Sequence, residues 1–144
     1  MVQFPIYDLK KHPEGIRFDQ TLDVKAELLE RNPEILDLSP VSVVGQVRFE
    51  AGLFFLDYEL SYDITMASSR SLNPVSWRES YPVLELFVET EGQLKDQDLV
   101  DEDLVLVLEG DYLVLDESVA DNILLHLPSK VLTPEEAAGQ ALPS

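Results

Sequence analysis

The sequence predicts a single α+β domain in which a mostly antiparallel sheet packs against one or two helices. Three observations support this fold class. The chain has 144 residues, of which 45% are hydrophobic and 26% are charged, as in one ordinary globular domain. Alternating apolar and polar residues fill the stretch from about residue 41 to residue 66. A helical apolar pattern follows near the C-terminus.

The alternating stretch predicts a long β-hairpin. From Phe54 to Met66, apolar or aromatic side chains occupy every second position, which is typical of a strand with one buried face. A similar alternation runs from Val41 to Phe49, and Ala51-Gly52 separates the two runs. We therefore place the turn of the hairpin at Gly52.

The segments before the hairpin are less regular. Phe4–Tyr7 and Ile16–Phe18 are compatible with strands or with segments that dock on the core. Asp23 predicts the N-cap of a short helix over Val24–Arg31, and Asn32-Pro33 ends that helix.

Two further strand regions follow the hairpin. Leu84, Leu86 and Val88 mark one face of a third strand at Val83–Glu89. An apolar run at Leu104–Leu108, a turn at 109–111 and a second run to Leu115 predict a short hairpin or two less tightly joined strands.

The C-terminal region carries two helix signals. Asp116 predicts the N-cap of an amphipathic helix from about Glu117 to Leu127, and Pro128 ends it. Thr133, Pro134 and Glu136 have the spacing of an N-cap, a first helical position and a capping box. That second helix is short, so residues 129–144 are predicted to form a loosely attached tail of the single domain spanning residues 1–144.

The charge is strongly negative and uneven. There are 10 Lys and Arg against 28 Asp and Glu, a net charge of −18. Residues 81–144 hold 2 basic and 15 acidic residues, a net of −13. This charge promotes solubility, and it also suits a basic partner. Non-specific binding of RNA needs lysine and arginine to displace counterions, which disfavours RNA over most of this surface.

No catalytic or metal-ligating pattern emerges from the residues. Cysteine is absent, which excludes disulfides, thiolate ligands and cysteine nucleophiles. His12 is interpreted as a surface residue, and His126 as a histidine near the end of the predicted helix. Asp57, Glu59 and Asp63 lie on the polar side of the long strand, where a solvated sheet face is favoured over a cation site. We assign no catalytic residue, metal or cofactor.

No apolar run approaches the roughly 20 residues needed to span a bilayer, and the N-terminus has no signal-peptide pattern. We therefore expect a cytoplasmic protein without a membrane partner. The oligomeric state is left open.

Several motifs occur in an order that resembles a known family. The opening motifs are Phe18–Val24, Glu30–Ile35 and Leu38–Val41, and the middle motif is Ser68-Ser69-Arg70-Ser71-Leu72. The closing motifs are an apolar strand at Leu113–Leu115, an acidic helix and Leu127-Pro128. This order resembles the YceD-like family of bacterial and plastid proteins, and it is most similar to the shorter forms of low-GC Gram-positive bacteria.

The resemblance also shows where this chain departs from the family. Many members carry cysteines in the middle turn and again after Leu-Pro, and four such thiols would suit a zinc site. Here Ser68 and Ser71 occupy the first pair of positions, while Thr133 and nearby residues replace the second. If the family site is metallic, this member has lost the metal, and we expect helix capping at Thr133 to hold the tail instead.

The resemblance implies a non-catalytic role in the accumulation or processing of large-subunit ribosomal RNA. The expected partner is a basic protein of the large ribosomal subunit or that RNA itself. The candidate binding residues are Arg70, with Ser68 and Ser71 in the same turn, and Arg78 and Arg48; the Lys10-Lys11 pair is a further RNA-contact candidate. Two alternatives stay open: a metal-dependent nuclease that uses Asp57, Glu59 or Asp63, and an acidic adaptor unrelated to ribosomes.

Overall fold

The computed structural model describes residues 1–90, 92 and 105–141. Its strands are β1 (Gln3–Pro5), β2 (Ile16–Leu22), β3 (Ile35–Leu38), β4 (Val41–Glu50), β5 (Leu53–Ala67), β6 (Pro74–Val88), β7 (Val105–Val107) and β8 (Tyr112–Val114). Its helices are α1 (Ile6–Lys10), α2 (Lys25–Arg31), α3 (Leu115–His126) and α4 (Pro134–Ala141). The predicted α+β class with a largely antiparallel sheet is confirmed.

The predicted hairpin is the centre of the sheet. Strands β4 and β5 pair antiparallel from Ser42↔Ser61 to Glu50↔Leu53. Ala51 and Gly52 form the turn with positive φ angles of 53° and 81°, the geometry that matches the twist of tight hairpins. The alternation on β5 also holds, since the apolar series from Phe54 to Met66 is buried in the core. The turn at Gly52 is therefore confirmed.

Strand β6 is longer than the sequence predicts. It runs antiparallel to nearly all of β5, from Ala67↔Pro74 to Phe54↔Phe87. The face marked by Leu84, Leu86 and Val88 is the outer one: Leu84 is 62% exposed, whereas Val88 is buried in a small second cluster. The prediction of Val83–Glu89 captured only the C-terminal half of this strand.

The sheet has the order β2-β4-β5-β6-β7, and β3 also pairs with β5. All these pairs are antiparallel except β6 and β7, which are parallel. The predicted hairpin at 104–115 is wrong in its tighter form; residue 104, where its first run begins, lies outside the described residues. Strand β7 pairs with β6, whereas β8 pairs with β1 in a separate two-stranded sheet. Gly110, with a φ angle of 93°, lies in the connection between them.

The core lies between one face of the main sheet and helix α3. Helix α3 packs through Leu115, Val119, Ala120 and Ile123, all fully buried in the core. None of the helices in the described residues is long and apolar enough to cross a bilayer.

Two of the predicted N-caps are corrected. Helix α3 begins at Leu115, before Asp116, whose carboxylate accepts a hydrogen bond from the Val2 amide at 2.6 Å. Asp116 therefore ties down the N-terminal segment instead of capping the helix. Helix α2 begins after Val24, and Asp23 accepts only a 3.2 Å bond from the Lys25 amide.

The N-cap of α4 is as predicted. The Thr133 hydroxyl accepts a hydrogen bond from the Glu136 amide at 3.2 Å, and Pro134 is the first helical residue. The pattern was readable from sequence because an N-cap joins residues three positions apart.

Candidate functional site

The turn that joins β5 to β6 is tightly organised by Ser68. This residue is fully buried, and its hydroxyl accepts hydrogen bonds from the amides of Arg70 and Ser71 at 3.1 and 3.2 Å. The Leu72 amide donates to the Ser68 carbonyl at 3.0 Å, and Leu72 has a φ angle of 66°. The middle motif Ser68–Leu72 therefore forms a turn with a fixed conformation.

The same turn is joined to the C-terminal segment. The hydroxyls of Ser68 and Ser71 each donate to the Glu136 carboxylate at 2.8 Å. Ser69 and Val131 exchange two further bonds, from the Ser69 amide to the Val131 carbonyl at 2.7 Å and from the Val131 amide to the Ser69 hydroxyl at 2.9 Å. The hydrogen bond from Ser68 is the main cause that lowers the pKa of Glu136, followed by the bond from Ser71. We call this cluster of Ser68, Ser71 and Glu136 the serine–carboxylate clasp.

The clasp changes the interpretation of Ser68 and Ser71. Both hydroxyls are occupied by an internal carboxylate, so their visible role is to fix the turn against α4. Two hydroxyls and one carboxylate do not fit the thiolate zinc site that the resemblance implies for other members. In the part of the chain that the structure describes, no three His, Asp or Glu residues gather as a metal site.

The three predicted arginines do not form one site. Arg70 is exposed on the turn, with no ion pair among the described residues. Arg78 and Arg48 both lie on the outer sheet face, where Arg78 pairs with Asp63 at 3.4 Å and Arg48 pairs with Glu50 at 3.2 Å. Their cross-strand neighbours on β5 are Asp63 and Phe55, eight positions apart along the strand. That spacing separates them by roughly 26 Å.

The two histidines have local partners. His12 pairs with Glu14 at 3.2 Å on the surface. His126 is the last residue of α3, as predicted, and its Nε2 lies 2.7 Å from Glu79. Its ring stacks on Tyr81 with centroids 3.7 Å apart. These contacts fix the end of the helix on β6.

Sequence reasoning missed a groove between β6, β7, β8 and α3. It has a volume of about 330 Å³. Its acidic members are Glu85, Glu109, Glu117 and Asp121, and its apolar members include Phe87 and Leu106. We call it the acidic groove. The excess of acid in residues 81–144 was the available signal, but the convergence depends on strands and a helix far apart in sequence.

One wall of the acidic groove is held by a buried hydrogen-bond chain. The Ser118 hydroxyl donates to the Glu85 carboxylate and lies 2.7 Å from the Tyr58 hydroxyl. Since Ser118 has one proton, Tyr58 donates to Ser118. Burial is the main cause that raises the pKa of Tyr58, which keeps its hydroxyl protonated as this donor. The buried Tyr58 and Ser118 hydroxyls therefore hold the Glu85 carboxylate in position.

A family profile described as "Large ribosomal RNA subunit accumulation protein YceD" matches residues 56–144. The chain is 27% identical over 143 residues to the uncharacterized protein YlbN of Bacillus subtilis (strain 168), covering 99% of this chain and 80% of that protein. No solved structure shows significant similarity. The matched region includes most of β5, all of β6, the clasp and the acidic groove, and by this match the chain belongs to the YceD family.

Proposed function

We propose that the protein is a non-catalytic factor that supports the accumulation of large-subunit ribosomal RNA by binding a basic protein of the large ribosomal subunit. The family description supports the connection with ribosomal RNA. A protein partner is favoured over RNA because most of the few lysine and arginine side chains in the described residues are paired with carboxylates of the chain itself.

Five of the nine Lys and Arg side chains in the described residues form ion pairs with carboxylates. These are Lys10 with Glu89, Lys25 with Asp37, Arg31 with Asp121, Arg48 with Glu50 and Arg78 with Asp63. The Lys11 ammonium lies 3.9 Å from the centroid of the Tyr7 ring. An RNA surface needs clustered cations that displace counterions. Here the net charge of −18 favours a basic protein, whose approach it accelerates.

The nuclease alternative has less support. Asp57, Glu59 and Asp63 follow one another along the exposed face of β5 and do not converge on a shared point. A metal-dependent nuclease needs carboxylates gathered around its ions. The adaptor alternative differs from the proposal only in the identity of the partner, so the binding experiment below decides between them.

The test has a cellular arm and a binding arm. We would deplete the protein in its native host and measure the ratio of large- to small-subunit ribosomal RNA. We expect a selective fall in the large-subunit RNA, and an unchanged ratio under verified depletion would refute the proposal. In the second arm, the purified chain is titrated with each basic large-subunit protein singly and with large-subunit RNA alone. We expect saturable binding to one protein, and tight binding to RNA alone would refute the protein-partner part.

Arg70 is our candidate contact outside the acidic groove. It is the only one of the three predicted arginines that is exposed without an ion pair in the described residues, and the clasp fixes the turn that carries it. We expect Arg70→Ala to weaken partner binding and Arg17→Ala, on β2, to leave it unchanged. Equal effects of the two changes would contradict a specific contact at Arg70.

A further inference from the structure

We infer that the acidic groove is the docking site for a basic segment of the partner, in which lysine or arginine side chains flank apolar ones. This inference rests on the proposed function and deepens it by naming the surface and the chemistry of its occupant. Exposed apolar side chains and positioned carboxylates line the groove, and the two other candidate occupants carry negative charge.

Apolar side chains that line the groove are accessible. Leu106 on β7 is 46% exposed and Tyr112 on β8 is 45% exposed, and both line the groove. Phe87 on β6 lies beside Leu106 in the parallel register. Exposed apolar residues gathered in one concave place are typical of an interaction site, whereas single ones are ordinary. A volume of about 330 Å³ suits a few side chains of a segment, at the small end of ligand pockets.

The carboxylates that line the groove are partly preorganised. Ser118 and Tyr58 fix the Glu85 carboxylate, so it is in place before a partner arrives. Asp121 is held by Arg31 at 3.0 Å, whereas Glu85, Glu109 and Glu117 have no ion pair within the described ranges. These three carboxylates lie in the same groove as the exposed apolar side chains. The groove therefore complements a segment that presents cations beside apolar side chains.

Charge also decides between a foreign partner and the chain itself. The sequence of residues 91–104 holds six acidic residues and one lysine, so its net charge is negative, like that of the carboxylates in the groove. A second copy of the chain carries −18 and meets the same repulsion. A basic segment from another protein is the occupant that the carboxylates of the acidic groove attract.

The test compares two triple variants with equal charge change. The groove variant combines Glu85→Gln, Glu109→Gln and Glu117→Gln, in which the amide oxygen introduced at position 85 can still accept the bond from Ser118. The control variant combines Asp19→Asn, Asp57→Asn and Glu59→Gln on the outer sheet face. Both variants of the whole 144-residue chain are first checked by circular dichroism and urea unfolding. The probe is a fluorescein-labelled synthetic peptide of alternating lysine and leucine, with an alternating lysine and serine peptide as its comparison.

We expect the groove variant to weaken binding of the lysine–leucine peptide about tenfold and the control variant to change it less than about twofold. We also expect the lysine–serine peptide to bind the unmodified protein more weakly. Equal loss in both variants would mean that only the overall charge matters, and the inference would be wrong. A folded Leu106→Ser variant gives a second measurement, in which unchanged affinity would also contradict the inference.

Other occupants give different outcomes. A large gain in peptide affinity after residues 91–104 are replaced by a Gly/Ser linker of the same length would assign the groove to that segment. A dimer that Leu106→Ser dissociates in sedimentation would assign it to a second copy, and either result overturns the inference. Complementation of the depleted host separates the two proposals. If depletion lowers the large-subunit RNA but the groove variant restores it fully, the assignment of the docking site to the groove is wrong, whereas the proposed role in RNA accumulation is retained.

Discussion

The hydrogen-bond chain Tyr58–Ser118–Glu85 allows a stringent test of how the core supports the acidic groove. The perturbations are Tyr58→Phe, Ser118→Ala and the double variant. Tyr58 is 2% exposed and Ser118 is 6% exposed, so neither hydroxyl exchanges its partner freely for water. The 2.7 Å contact joins strand β5 to helix α3 across the core.

The expected magnitudes follow from which group loses its partner. Tyr58→Phe removes a donor, but Ser118 still donates to Glu85, so we expect a loss of about 1 kcal/mol in the free energy of unfolding. Ser118→Ala leaves the buried Tyr58 hydroxyl without this acceptor and Glu85 without this donor, so we expect about 2 kcal/mol. In the double variant no tyrosine hydroxyl remains to be satisfied. Its loss is therefore about 2 kcal/mol and not about 3 kcal/mol, a coupling of about 1 kcal/mol.

The assay is urea-induced unfolding at neutral pH, followed by fluorescence of Trp77, the single tryptophan of the chain. Tyr112→Phe is the matched control, because the Tyr112 side chain is 45% exposed and we expect a change within about 0.5 kcal/mol. Losses that add within about 0.3 kcal/mol would refute the coupled chain. An unchanged stability of Tyr58→Phe would refute it as well.

Three further predictions concern the backbone and the clasp. A Cβ at Gly45 would lie 2.1 Å from the Asp57 carbonyl oxygen, so we expect Gly45→Ala to lower the free energy of unfolding in urea by about 1–3 kcal/mol. The control is Gly139→Ala, which has open space around the added Cβ in α4 and is expected to be neutral or stabilising. Leu72 has a φ angle of 66° and is 75% exposed, so Leu72→Gly stabilises the fold by about 0.5–1 kcal/mol, and a loss of stability would contradict the strain. Because the pKa of Glu136 is lowered by folding, its contribution is complete above the ordinary value of 4.5 and is lost as pH falls through the folded pKa. Hydrogen-exchange protection of residues 131–141, corrected for intrinsic rates, should fall in acid. This pH dependence should disappear in the Glu136→Gln variant. If the variant keeps the same pH dependence, the clasp does not hold this segment.

The candidate site divides into a part that sequence could suggest and a part that it could not. The turn at Ser68–Leu72 was indicated by the family resemblance, and it is a distinct structural unit. Its partner Glu136 was assigned only to a capping box, because nothing local indicates a contact across 65 positions to Ser71. The acidic groove was not predicted at all, since it joins side chains of β6, β8 and α3 that share no sequence pattern.

Elements with local signals were predictable from the amino-acid sequence alone. Alternation at period two specifies the β4–β5 hairpin, the apolar stripe specifies α3, and Thr133 with Pro134 specifies the start of α4. Composition determined the charge and its concentration in residues 81–144. Two features depend on the three-dimensional packing of the chain. Strand β7 pairs in parallel with β6 while β8 pairs with β1, and Ser118 fixes Glu85. These choices depend on which apolar faces meet across the core, and the free energy of that packing has no counterpart in the pattern of a single segment.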